Sequence, residues 1–240
     1  MTRDIAEYDI RYRDVFWASR AYEDRCDRIA IRALLPPTGG RLLEVGAGFG
    51  RLAAEYAGYS AVVLFDASQE LLDAARERLG NDARFTFVLG DAHHLPFEDA
   101  GFDTVVCVRV IHNFADPGVI FGEFARVLRP GGRLVLEFAN KRHLKSILRW
   151  ALRRQRWSPF SEEGHEYLPL HFDRSPREMA RLLRGAGLRI GRRRAASLFR
   201  FGPLTRRVSP AVLARLEGPL QAPLGPLAIG PSVYLSATRA

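Results

Sequence analysis

Three carboxylates and a run of alternating glycines stand out as residues whose types and spacing suggest chemistry. Glu44 lies two residues before Gly46-Ala47-Gly48-Phe49-Gly50. Glycine takes backbone angles closed to other residues and lets a ligand approach the main chain. A helix starting near Arg51 would aim free N–H groups and its positive dipole end at that ligand. A dinucleotide turn is spaced G-x-G-x-x-G and cradles a pyrophosphate. Here the glycines run G-x-G-x-G, and Glu44 would repel a phosphate while attracting an ammonium group. Asp66 closes the apolar run 61–65 and can accept hydrogen bonds from ribose hydroxyls. Asp91 sits in the loop segment Gly90-Asp91-Ala92-His93-His94-Leu95-Pro96-Phe97, where a carboxylate is a pure hydrogen-bond acceptor and can also cap a turn. Together these residues suit a phosphate-free nucleoside with a cationic amino-acid tail. Histidine is the side chain most readily recruited as a base near neutral pH. His112 is the first candidate, because it follows the carboxyl end of a strand. His165 and His171 come next, and His93 and His94 shape the loop around Asp91.

The elements that must position these groups alternate strand and helix, which implies a parallel sheet with helices on both faces. Strands are expected near 41–46, 61–66, 84–89, 103–108 and 132–138. Helices are expected near 50–58, 68–79 and 117–128, with Ser68 as an N-cap. Ahead of them, 4–17 carries Ile5, Tyr8, Tyr12 and Phe16 at helical spacing, and 22–35 reads as a second helix ended by Pro36-Pro37. Tyr8, Tyr12 and Trp17 either close the ligand site or pack as core.

The stretch 41–52 resembles the first motif of the class I S-adenosylmethionine-dependent methyltransferases, E/D-x-G-x-G-x-G. Gly90 to Phe97 is similar to that family's G-D-A-x-x-L-P-F segment, and Arg126-Val127-Leu128-Arg129-Pro130-Gly131-Gly132-Arg133-Leu134 to its R-V-L-R-P-G-G-x-L segment. The likeness covers about 41–138, with quinone-ring and small-molecule methyltransferases nearest in pattern. It implies a Rossmann-like sheet of seven strands, mostly parallel with the last antiparallel, plus N-terminal helices and a helical insertion. It implies S-adenosylmethionine as cofactor, held by Glu44, Gly46, Ala47, Gly48, Asp66, Ala67, Asp91, Ala92, Val108 and Arg109. The implied reaction is in-line transfer of the methyl group to a small-molecule or lipid-like acceptor, with Tyr12, His165, Tyr167 and His171 as acceptor-binding candidates and no metal. A non-enzymatic binding module on this scaffold is the alternative. Nucleic acid is a weaker substrate, because no N/D-P-P-Y/F tetrapeptide is present, and a nicotinamide enzyme conflicts with the glycine spacing and with Glu44.

Composition bounds the reading. A chain of 240 residues, 47% hydrophobic and 26% charged, can bury one sizeable core. It is read as one domain: a helical cap over 1–38, a cofactor core over 39–140, a cover over 141–175 and sheet completion over 176–240 with an insertion at 195–231. Two cysteines without paired spacing fit a reducing cytoplasm. Charge is uneven: residues 141–240 carry 20 Lys+Arg and 6 Asp+Glu, net +14, within an overall +9. That excess either faces an anionic partner or fills solvated helix faces. The segment 141–157 reads as a basic amphipathic helix with Leu144, Ile147, Leu148 and Ala151 on one side and tryptophans at its end. It covers the site or lies on an anionic membrane. The segment 158–173 reads as irregular, 176–184 as a helix, and 188–194 with 232–238 as an antiparallel hairpin. One helix is expected over 210–221.

Overall fold

The computed structural model describes residues 9–240; Ile5 and Tyr8 lie outside the described residues. Tyr12–Trp17 form a short π-helix, followed by α1 (Ala21–Leu34). The alternating core then runs β1 (Gly39–Val45), β2 (Tyr59–Asp66), α2 (Gln69–Leu79), β3 (Phe85–Leu89), β4 (Phe102–Cys107), α3 (Pro117–Val127) and β5 (Leu128–Ala139). Beyond it come α4 (Leu144–Ala151), a hairpin of β6 (His165–Leu168) and β7 (His171–Asp173), and α5 (Pro176–Gly185). The chain closes with β8 (Leu188–Ala196), α6 (Gly202–Arg207), α7 (Pro210–Leu224) and β9 (Ser232–Arg239).

Seven strands form one sheet in the order β3-β2-β1-β4-β5-β9-β8. β9 runs antiparallel to both β5 and β8, and the remaining pairs are parallel. Apolar residues cover both faces: Phe121, Phe124 and Phe138 belong to one core, and Leu42, Tyr56, Val62 and Tyr234 to the other. The helix starts follow local chemistry. Ser68 accepts the Leu71 N–H, and Ser175 with Glu178 forms a capping box at the start of α5.

Four expectations are corrected. The helix expected over 50–58 is a single 3₁₀ turn, Ala53–Tyr56. β2 begins at Tyr59, paired with Gly39. The chain must therefore travel back along the whole of β1, about 20 Å, within eight residues. An α-helix of that length spans only about 12 Å. The helix expected over 141–157 stops at Ala151, where the chain reverses and Arg153 takes φ +54°. The segment 158–173, expected to be irregular, contains the β6–β7 hairpin. The insertion 195–231 holds two helices rather than one, and α7 runs on through Pro219 and Pro223.

Candidate active site

The glycine turn leaves the carboxyl end of β1 in the middle of the sheet, where open α/β sheets bind ligands. Its three glycines, all at positive φ, have separate duties. A side chain at Gly46 would run into Val110, and one at Gly50 would press on Ala75 and Leu79. A Cβ at Gly48 would meet no atom within 4 Å. Gly48 is therefore the place where main chain lies open to a ligand. Asp66, at the end of β2, ties this turn down: it accepts the Gly48 N–H at 2.7 Å and the Ser68 N–H at 2.9 Å. Burial raises its carboxyl pKa, an effect these N–H groups partly offset. Ala67 follows directly in the loop between β2 and α2.

Glu44 is 2% exposed, and its Oε2 has no hydrogen-bond partner. Burial pushes its carboxyl up to about 8; the Tyr56 hydroxyl and Arg51 favour the ionised form but do not restore the ordinary value. An unpartnered buried carboxyl oxygen is costly unless a ligand completes it. Around it lie Tyr12, Trp17, Gly46, Ala47, Gly48, Phe49, Arg51, Leu52, Val108 and Arg109. Arg51 binds Asp24 at 2.6 Å and the fully buried Asp27 at 3.0 Å. Arg109, at φ +64°, reaches the same Asp27 at 2.9 Å and donates its backbone N–H to Glu137 at 2.9 Å. Both guanidinium groups lie over the Trp17 ring, at 3.7 and 5.9 Å. The pocket thus presents one carboxyl and two guanidinium groups, a match for the ammonium and carboxylate of an amino-acid tail. Only about 20 Å³ is free among these residues, room for a single water.

Asp91 lies further along the same edge of the sheet. Its partial burial is outweighed by His93, whose backbone N–H and Nδ1 lie 2.9 and 2.7 Å from Oδ1, and its pKa falls. Ala92 is buried beside it.

Beyond the β4 end, His112 lies in a 3₁₀ turn, Ile111–Asn113. Burial, then Arg109 and His171, lower its pKa to about 3. It is therefore a neutral imidazole, able to accept a hydrogen bond but a poor proton sink. Its ring stands 5.7 Å from that of His171, which stands 6.0 Å from Tyr167. His165, by contrast, stacks on Trp157 at 4.2 Å. Tyr12 lies with Trp17 at the tail pocket. Asp173, on β7, has its carboxyl raised to about 6, mainly by burial and also by Glu137, against the pull of Arg200, Arg149 and Lys141. Among the described residues no group of three or more His, Cys, Asp or Glu side chains is placed to hold a metal ion.

Comparison with known proteins places this geometry. Residues 43–136 match the methyltransferase domain family. A demethylmenaquinone methyltransferase of Clavibacter sepedonicus is 41% identical over 120 residues, 49% of each chain. The chain thus spans about half the length of the first curated relatives it matches. A demethylmenaquinone methyltransferase of Roseiflexus sp. (strain RS-1) is 30% identical over 184 residues, 69% of this chain and 74% of that one. The chain belongs to the class I S-adenosylmethionine-dependent methyltransferases. The fold agrees: an S-adenosylmethionine-dependent methyltransferase from Thermotoga maritima superposes with a TM-score of 0.61 at 20% identity, over 95% of both chains.

In this member of the family the buried orphan oxygen of Glu44 and the open main chain at Gly48 fit the family's cofactor. Reading the sequence missed Arg51, Asp27, Glu137 and Asp173. Arg51 follows Gly50 directly and was legible as a cation beside the turn. Asp27 had no signal except its place on the inner face of α1.

The narrowness of the tail pocket leads to a kinetic expectation. Trp17 packs on Phe49, Leu71 and Ala74, so cofactor entry requires the 12–17 segment to lift. In stopped-flow mixing with S-adenosylhomocysteine, the observed rate should level off at high ligand concentration, with a fluorescence change that Trp17→Phe abolishes. A rate that stays linear in ligand concentration would show that no lid opens first.

Proposed function

We propose that this chain transfers a methyl group from S-adenosylmethionine to a small-molecule or lipid-like acceptor bearing a hydroxylated ring. The observation that carries this reading is the tail pocket, where Glu44 faces Arg51 and Arg109 around bare main chain at Gly48. The named activity of the quinone-ring relatives supports the acceptor class. When bound, the cofactor supplies an activated methyl on a sulfonium. The chain's own residues align and desolvate. Glu44 receives the ammonium, Arg51 and Arg109 the carboxylate, Asp66 the ribose and Asp91 the adenine amino group. His112, neutral and half-buried, accepts a hydrogen bond from the acceptor. Tyr167 and His171 flank it, and Asp173 takes the proton from an acceptor hydroxyl. The nucleophile bonds to the methyl carbon as the C–S bond breaks, and sulfur keeps the electron pair.

The test has two parts. Calorimetry should detect S-adenosylhomocysteine binding, and methyl-tritiated cofactor should pass label into prenylated hydroxylated rings in an organic extract. Absence of any binding would remove the reading, and binding with label passing only to other acceptors would overturn the acceptor class.

A further inference from the structure

Two helices of the basic half carry a row of exposed apolar side chains on their outer sides. On α4, Leu144 and Leu148, with Leu152 at the C-cap, share one face at four-residue spacing, and they are 52, 53 and 63% exposed. Ser146, on the opposite side, is fully buried and bonds Gln155, whose amide also reaches the Trp157 carbonyl. The reversal at Arg153 folds this polar strap under the helix, so the leucines turn to solvent. α7 carries apolar residues on two sides: Leu213 and Ala214 pack inward with Tyr22 and Cys26, and a second row faces outward. Glu217 and Gln221 are fully buried, because Glu217 takes the Ser197 and Leu198 N–H groups and Gln221 donates to the Cys26 carbonyl. Val212, Leu216 and Leu220 are left outside.

The two helices are joined through one segment. α7 runs into 225–229, and α4 starts against that segment: Arg142 donates to the Leu227 carbonyl and the Leu144 N–H to Ile229, both at 2.9 Å. Leu227 is exposed at this junction. Trp150 and Phe160, also exposed, meet edge to face at 5.7 Å beside α4. Lys145, Arg149, Arg153, Arg154 and Arg156 are exposed around the leucines. A row of large apolar side chains flanked by cations and an exposed tryptophan complements one environment: the boundary between anionic headgroups and acyl chains.

We propose that the outward stripes of α4 and α7 seat this protein on an anionic phospholipid bilayer. The leucines enter the acyl boundary, Trp150 settles at headgroup depth, and the arginines pair with phosphates. No described helix is long and apolar enough to cross the membrane, so the contact is along one leaflet. α4 begins five residues after β5 ends, at the ligand-binding edge of the sheet, so a lipid-borne acceptor would meet the site without leaving the membrane surface.

Co-sedimentation of the full chain with phosphatidylglycerol vesicles tests this directly. Binding should weaken about tenfold when salt rises from 0.05 to 0.5 M. It should weaken roughly 30-fold when Leu144, Leu148 and Leu152 are all changed to Gln, with unchanged circular dichroism as the folding control. Trp150 emission should shift blue on wild-type binding and stay fixed in the triple variant. Three results would overturn the proposal. One is no sedimentation with anionic vesicles. Another is full binding by the leucine variant, which would leave only surface charge. The third is a dimer in sedimentation velocity that the leucine variant dissociates, which would make a second copy the occupant. Vesicle binding is read without cofactor or acceptor, so its failure leaves the methyl-transfer reading untouched.

Discussion

Replacing Glu44 with Gln should make the protein more stable and its cofactor site worse. Burial holds the Glu44 carboxyl at about 8 against an ordinary 4.5. A carboxyl whose folded value is raised contributes its full stability below its unfolded value, and that stability is lost as pH rises through about 8. At pH 7 the loss is on the order of 3 kcal/mol, which a neutral amide avoids. For a chain of this size that corresponds to a rise in Tm of at least about 5 °C, largest near pH 8 and absent near pH 4. Ligand binding moves the other way. A bound ammonium stabilises the ionised carboxylate, so binding at pH 7 should release about one proton, seen as a buffer-dependent heat in calorimetry. Affinity for S-adenosylhomocysteine should rise with pH, by at most roughly tenfold per unit, and level off above about 8. Glu44→Gln should remove the proton release and weaken binding about 10- to 150-fold, the worth of a charge-assisted hydrogen bond. A lower Tm with unchanged affinity would mean that this carboxyl is a structural group turned away from the tail.

Legibility from sequence divided at about residue 138. Up to that point each strand is an apolar run, the first three closed by Gly46, Asp66 and Gly90, and the sheet was readable because both faces are buried and little else fits such runs. Glu44, Gly46, Gly48 and Asp66 meet at one edge because strand ends and loop lengths leave them nowhere else to go. The missing helix over 50–58 shows the limit of periodicity: composition allowed a helix, but the return path along β1 is too long for one. Beyond 138 the shared face of the α4 leucines was legible, but the extent of the elements and the direction of that face were not. The leucines of α4 do share a face, yet periodicity does not say whether that face turns inward. Ser146 and Gln155 decide it, through a hydrogen bond between residues nine apart. Asp173 was invisible for a similar reason. Its carboxyl is raised mainly by burial and also by Glu137, against the pull of Arg200, Arg149 and Lys141, surroundings that only the folded chain brings about.

That placement makes Asp173 the group whose loss should cost the reaction most after the cofactor contacts. Two side chains compete for the role of proton acceptor, and their environments separate them. His112 sits near 3 and Asp173 near 6. If Asp173 is the base, kcat/KM should climb tenfold per pH unit up to about 6 and then level off, because the deprotonated free enzyme is the active form. If His112 were the base, the profile would already be flat from pH 5 upward. Asp173→Asn should lower kcat by about 10²- to 10⁴-fold and erase the ascending limb, with KM for the cofactor unchanged. Stability offers a control. Asp173 is also a carboxyl held above its ordinary value, so its favourable contribution exists only at low pH and is lost as pH passes about 6. The asparagine variant, like Glu44→Gln, should therefore have a Tm at pH 8 at or above that of the wild type, and a fall in activity there cannot be put down to unfolding. An acceptor hydroxyl that is already ionised at working pH would bypass the base. With such an acceptor Asp173→Asn should recover wild-type turnover, a rescue that a merely structural carboxylate would not produce.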